Sequence, residues 1–244
     1  MSVPDPEVPP FAWGAACHVL RALDGQLQAI VLVGSCVHTP ELARDVDLAL
    51  VSASPRPAAR YAAAAGAALG QGRPVDALVR RPDQPLGAMR LAYAAGRVLW
   101  RRRSDAMAST PAVATPDDFG EARRQLCNAV ALEATGATPV TDRSGYFLQE
   151  AFEGLFQAAR TAVMALSALR PRQRLSPALQ REFRRVVLLC HLRYGRGDAL
   201  PTGPGARAEF RAWHAIVQGL LDACEAAALG LVLPPPARPL TFAG

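Results

Sequence analysis

Three acids and a glycine–serine pair carry the densest chemistry in this chain of 244 residues. They are Gly34-Ser35, then Asp45-Val46-Asp47 after nine intervening residues, then Asp76 further on. Alternate residues of an extended strand point to one side, so Asp45 and Asp47 would present two carboxylates together. Two carboxylates so placed can bridge a pair of Mg²⁺ ions, and a third from a neighbouring strand can hold one of them. Asp76, as that third group, can also take the proton of an attacking hydroxyl. A Gly-Ser turn brings backbone N–H groups and a hydroxyl against a polyphosphate with no bulky side chain in the way. Together these groups suit phosphoryl transfer, where the protein positions the reactants and neutralises charge on the transferring phosphorus.

Periodicity and turn residues give the elements that must position this set. A helical pattern from Phe11 to about Leu23 runs into Asp24-Gly25, and Ala29 to Val33 is a β-rich run ended by Gly34-Ser35. Cys36 to Arg44 reads as a nine-residue loop, and Asp45 to Val51 as a second strand. Ala58 to Leu69 is an Ala-rich helix closed by Gly70, and Pro74 to Val79 a third strand. A helix from about Gln84 to Ala95 stops at Gly96, and Arg97 to Trp100 is a fourth strand candidate. Ser104 to Pro116, rich in small residues and Pro, is the best linker in the chain.

Beyond it come four helical stretches and no strand signal: about Asp117–Thr135, Tyr146–Leu169, Pro177–Tyr194 and Ala206–Leu229. The third is apolar almost all round from Val186 to Leu192, which predicts that it is central. The fourth places Phe210, Trp213, Val217, Leu220 and Cys224 on one stripe. Short connections favour an antiparallel arrangement. The expected fold class is therefore α+β. A small mixed β-sheet domain over residues 1–103 leads through a linker (104–116) to an all-α antiparallel helical bundle over 117–233, with a Pro-rich tail at 234–244.

At its acids the sequence resembles the nucleotidyltransferase superfamily related to DNA polymerase β. That signature is an apolar residue, Gly, Ser or Gly, nine to thirteen residues, then Asp-apolar-Asp-apolar. Here it is Val33-Gly34-Ser35, nine residues, and Asp45-Val46-Asp47-Leu48. Val75-Asp76-Ala77-Leu78-Val79, Pro85-Leu86 and Gly96-Arg97-Val98-Leu99-Trp100 look like the minimal nucleotidyltransferases of prokaryotic toxin–antitoxin modules. The resemblance covers roughly Leu20 to Arg102. It implies a cytoplasmic enzyme moving a nucleoside monophosphate from an NTP, ATP foremost, to a hydroxyl with the help of Mg²⁺. Asp45, Asp47 and Asp76 would be its metal ligands and catalytic residues, and Gly34 and Ser35 would bind the nucleotide. Members often carry a basic residue straight after the Ser and a Gly a few residues on. This chain has Cys36-Val37-His38-Thr39-Pro40, with His38 as a candidate substitute for the cation.

The helical half is similar to a HEPN or substrate-binding helical domain, a usual companion of such transferases, through Tyr146 to Ala159. HEPN ribonucleases carry Arg, four to six residues, then His, with a nearby Tyr, and Arg185, His191 and Tyr194 come close to that. Val186 to Cys190 are all apolar, where an active site of that kind usually has a polar residue after the Arg. The competing reading is a core helix with a capping His and an interfacial Tyr.

Composition narrows the alternatives. All 27 cationic residues are Arg, which excludes a P-loop Lys, a Schiff-base Lys and a Ser–Lys dyad. Arg170 to Gly197 holds eight arginines and one acid, Glu182, a balance suited to nucleic acid, nucleotide or an acidic protein. The five cysteines show no zinc or disulfide spacing and are expected reduced and mostly buried. No run approaches a membrane span, and the acidic, Pro-rich first ten residues lack the basic start of a signal peptide. The partners implied are an NTP, a protein or RNA acceptor, and a second copy of the chain through the helical bundle. Three other functions remain open: an aminoglycoside-type transferase, a non-catalytic nucleotide- or RNA-binding module, and a HEPN-type ribonuclease.

Overall fold

The computed structural model describes residues 7–23, 25–52, 54–68, 72–81, 90–102, 115, 117–136, 144–170, 175–194 and 204–231. The chain divides into two compact units, Met1–Val113 and Ala114–Gly244. Apart from Thr115, the expected linker at 104–116 lies outside the described residues, as does the tail at 234–244.

The first unit runs α1 (Pro10–Ala22), β1 (Leu27–Val33), α2 (Ser35–His38), a 3-10 turn (Pro40–Leu42), β2 (Val46–Ser52), α3 (Pro55–Ala68), β3 (Val75–Arg80), α4 (Arg90–Ala95) and β4 (Arg97–Arg101). The sheet order is β3-β2-β1-β4. β1 is antiparallel to both its neighbours, whereas β2 and β3 are parallel. A parallel pair needs a crossover, and α3 supplies it. Ile30 and Leu32 of β1 and Leu48 and Leu50 of β2 are fully buried against one face. There they meet Ala12, Ala15 and Val19 of α1 and Ala58, Ala62 and Ala65 of α3. Alanines at these positions let both helices sit close to the strands.

Gly66 shows how close α3 comes. A Cβ there would lie 2.7 Å from the Val75 backbone nitrogen and 3.0 Å from the Arg73 carbonyl oxygen. Backbone cannot turn aside as a side chain can, so Gly66→Ala should destabilise the first unit by about 1–3 kcal/mol. Thermal unfolding checks this, and an unchanged midpoint would show that α3 is free to shift.

Two details differ from the expected layout. The stretch after Gly34 is not a plain loop but α2 followed by the 3-10 turn. Thr39 is fully buried there, and its N–H needs a partner, which it finds in the Ser35 carbonyl at 2.8 Å. Asp45 stands one residue ahead of β2 rather than inside it. Residues 84–89 of the expected helix before Gly96 lie outside the described residues.

The second unit consists of α5 (Asp117–Gly136), α6 (Ser144–Leu169), α7 (Pro177–Tyr194) and α8 (Pro204–Ala228). Gln125 meets Thr161 while Ala129 faces Gly154, so α5 and α6 run antiparallel. Arg123 pairs with Asp222 and Glu225, and Glu133 with Arg207, which sets α5 antiparallel to α8 as well. Phe152 packs edge-on against Phe210 and Trp213, with Arg170 reaching the Ala228 carbonyl, so α6 and α8 are parallel.

The expectation of a central α7 is corrected. It is α6 and α8 that each pack against the three other helices, α6 burying Ala151, Leu155, Ala158, Ala159, Ala162 and Val163. In α7 Leu188 is 45% exposed, so its apolar run faces outward in part. Small residues on several sides suit α6 to three neighbours, and an apolar run did not distinguish it. The whole is the expected α+β class, with a small mixed sheet and a helical C-terminal part. Among the described residues no helix is long and apolar enough to cross a membrane. All five cysteines are free thiols: Cys36 and Cys224 are buried, Cys17 and Cys190 half-buried, and Cys127 exposed.

Candidate active site

The acids are brought together by strand register. Val33 at the end of β1 pairs with Asp47 on β2, and Asp47 pairs with Asp76 on β3, so the three residues form a row across the sheet. Leu48 and Leu50 point into the core under α1 and α3. Asp47 and Asp76, on the alternate positions, therefore point to the other face. Asp45, two residues before Asp47, joins them: one carboxylate oxygen from each of Asp45, Asp47 and Asp76 lies within 4.8 Å of the others. Asp45 and Asp47 are half-buried, and Asp76 is exposed.

Gly34 makes room for this cluster. Its backbone sits at φ 73° and ψ −152°, a region that L side chains rarely adopt. A Cβ there would lie 1.9 Å from Oδ2 of Asp47, so that carboxylate rests directly on the bare Cα. Ser35 is the first residue of α2 and half-buried. Its carbonyl accepts from Thr39, while among the described residues its hydroxyl has no partner. His38, at the end of α2, is half-buried and holds other contacts.

Two residues near the acids were not singled out from the sequence. The Cys36 thiol donates to the Asp45 carbonyl oxygen at 3.1 Å and steadies the backbone just before β2. Burial pushes this thiol up to about 12; the Asp47 and Asp45 carboxylates add to the shift and the Arg73 guanidinium works against it. Cys36 is thus a neutral donor at pH 7, not a nucleophile. Arg73 precedes Pro74 at the entry to β3, where the Val46 N–H donates to the Pro74 carbonyl at 2.9 Å. The sequence signal for it was the Arg-Pro step, because a residue before Pro is held extended at a strand entry.

The chemistry of this donor set is that of a hard cation. Three carboxylates and no imidazole or thiolate favour Mg²⁺, Mn²⁺ or Ca²⁺ over zinc. Oxygens on opposite sides of one such ion lie about 4–5 Å apart, so the spacing of 4.8 Å or less fits.

No protein-family model matches the chain, and no curated protein matches it. Among solved structures the chain is similar to a nucleotidyltransferase-like protein from Exiguobacterium sibiricum. That likeness spans 91% of this chain and 78% of the other, at 11% identity and a TM-score of 0.31.

Of the HEPN-like set the structure describes the side chain of Arg185 alone. Arg185 is half-buried on α7, 3.9 Å from Glu182 one turn earlier. The side chains of His191 and Tyr194 lie outside the described residues. Arg181, Arg184 and Arg185 line an open groove of about 700 Å³ along α7, together with Pro177, Gln180 and Leu188.

Proposed function

We propose that this chain is a divalent-metal-dependent nucleotidyltransferase that moves a nucleoside monophosphate, AMP foremost, from an NTP to a hydroxyl. The observation that carries this reading is the meeting of Asp45, Asp47 and Asp76 beside the bare Cα of Gly34. Asp45 and Asp47 would hold the ions, with Asp76 as the third ligand. The ions, when bound, would neutralise charge on the triphosphate and favour the leaving pyrophosphate. Gly34 and the Ser35 hydroxyl would lie against the phosphates, where a Cβ at position 34 could not fit.

The acceptor oxygen attacks the α-phosphorus as the bond to the bridging oxygen of the β-phosphate breaks. Pyrophosphate departs, and the acceptor proton passes to the Asp76 carboxylate. Asp76 suits this task because it is the exposed member of the three. The acceptor we favour is a protein or RNA hydroxyl, as in toxin–antitoxin modules, for an enzyme acting in the cytoplasm. The arginine-lined groove on α7 supports a polyanionic or acidic acceptor.

Incubation with each labelled NTP and Mg²⁺ tests this, read as pyrophosphate release and as label on the protein itself, on RNA or on an aminoglycoside. Label on protein or RNA is the expected result. Label on the aminoglycoside alone would move the acceptor to a small molecule. Binding of NTP with no release of pyrophosphate would leave a binding module.

A further inference from the structure

Asp76, the proposed base, lies on β3, and β3 is one of the two edges of the sheet. The edges differ. β4 pairs with β1 through a register shift between Ile30 and Val31, which leaves Leu99 as the extra residue. It begins and ends in arginine, and Arg97 is paired with Glu7. Bulges and charges of this kind keep an edge from taking on another strand. The register of β3 with β2 runs from Val46–Val75 to Val51–Arg80 with no shift. Between its two charged residues β3 carries Ala77, Leu78 and Val79, of which Leu78 is 43% exposed.

One hydrogen bond fixes which backbone groups line the outer side. The Val46 N–H donates to the Pro74 carbonyl. Backbone groups turn to alternate sides along a strand, so Asp76 and Leu78 face β2 as Pro74 does. Those of Ala77 and Val79 face outward, and among the described residues nothing bonds them. α3 closes on the start of the strand, where a Cβ on Gly66 would lie 2.7 Å from the Val75 nitrogen. The open stretch of edge therefore begins beside Asp76.

We infer that the acceptor is an extended protein segment that joins the sheet at this edge, antiparallel to β3, with a serine or threonine opposite Asp76. This rests on the transferase reading above and names its acceptor class. Because the Asp76 backbone turns to β2, the residue opposite it sits in a non-hydrogen-bonded pair. Such pairs bring Cα atoms to about 4.5 Å and put both side chains on one face. The hydroxyl residue then continues the row of Val33, Asp47 and Asp76. Its Oγ bonds the α-phosphorus, its proton passes to Asp76, and pyrophosphate leaves.

The neighbours of that residue follow from the same register. The residue before it pairs with Ala77 and exchanges two backbone hydrogen bonds with it. The residue two before it lies opposite Leu78 on the face of the acids, where an apolar side chain covers that leucine. A second copy of β3 does not serve as acceptor, since Val75 to Arg80 holds no hydroxyl. An RNA strand has no alternating N–H and C=O groups and leaves this edge unpaired.

The test uses the full-length chain, α-labelled NTP and Mn²⁺. The acceptors are a pool of short peptides with one central serine among random residues lacking hydroxyls, and a pool of single-stranded RNA. Label on the peptides is expected, with apolar residues enriched two positions before the labelled serine. In a selected peptide, N-methylation of the residue before the serine should cut labelling about tenfold or more, because a bond to Ala77 is lost. N-methylation of the serine itself, whose N–H faces away from β3, should change labelling little. Ala77→Pro removes an outward N–H where an edge strand accepts proline. It should lose peptide labelling to a similar extent while NTP binding, read by calorimetry, stays parental. If Ala77→Pro does not melt like the parent, the two N-methylated peptides decide alone.

Equal labelling of those two peptides would overturn the inference, as would label on RNA alone, and the transferase reading would stand in both cases. A parent that sediments as a dimer, with Ala77→Pro a monomer, would give the edge to a second copy and overturn it too. NTP bound with no pyrophosphate released to any acceptor would sink the transferase reading itself, and the inference with it.

Discussion

Asp47→Asn should abolish nucleotidyl transfer and leave the fold intact. Asp47 is the middle member of the row from Val33 to Asp76, and its carboxylate rests on Gly34. Asparagine keeps that shape, so the sheet register and the contact with Gly34 should survive. What is lost is one of the charges that hold the metal. A fall in rate of at least ~10³-fold is expected, equivalent to about 4 kcal/mol of transition-state stabilisation. Without metal the melting temperature should hold or rise, because one like charge has left a cluster of three carboxylates. With Mn²⁺ the parent should be stabilised in proportion to the metal it binds, and the variant much less. Pyrophosphate release and melting curves with and without Mn²⁺ check both halves. Turnover at the parental rate would dispose of the metal-site reading.

Gly34→Ala should do the opposite to stability and the same to activity. A side chain at φ 73° and ψ −152° costs ~1–3 kcal/mol in backbone strain alone. The new methyl would also have to displace Asp47 Oδ2, from which it is built at 1.9 Å. Forcing that side chain off its rotamer adds roughly 0.5–1.5 kcal/mol. The melting temperature of the first unit should then fall by about 10 °C or more. Mn²⁺ affinity should drop along with transfer, because the displaced carboxylate is one of the proposed ligands. Parental melting and parental Mn²⁺ binding together would show that the turn can rearrange at little cost.

The acids were legible in the sequence because their geometry follows from a period of two. Asp45 and Asp47 were expected to share a side, and the open question was whether the strand that carries Asp76 would lie beside theirs. The register pairing Asp47 with Asp76 answers it, and periodicity alone could not, since a parallel pair is made through a crossover helix. The stacking of Arg73 was not legible for a related reason. Its place depends on Phe11, 62 positions earlier in the chain, and no local pattern links a helix start to a strand entry. In the helical half the four segments were readable from apolar periodicity, but their ranking was not. Val186 to Cys190 look more apolar than the stretch around Ala158 and Ala162, yet only Val186 and Val187 of that run are buried, while Leu188 is exposed and the alanines are wholly covered. Hydrophobic content tells how much a helix gains by burial, whereas small size tells how many neighbours it can admit.

The sheet order leaves β3 at an edge, paired with β2 on one side, while β1 and β2 lie inside. Edge strands open more readily than interior ones, through local excursions that cost less than global unfolding. Asp47 therefore belongs to the well-protected part of the sheet, with Asp45 at the entry to its strand, and Asp76 to the part that frays first. On warming, such a site would lose its proposed base and third ligand while Asp47 stays in register with β1. Inactivation would then run ahead of melting and reverse on cooling, so the working temperature range would be set by one peripheral strand.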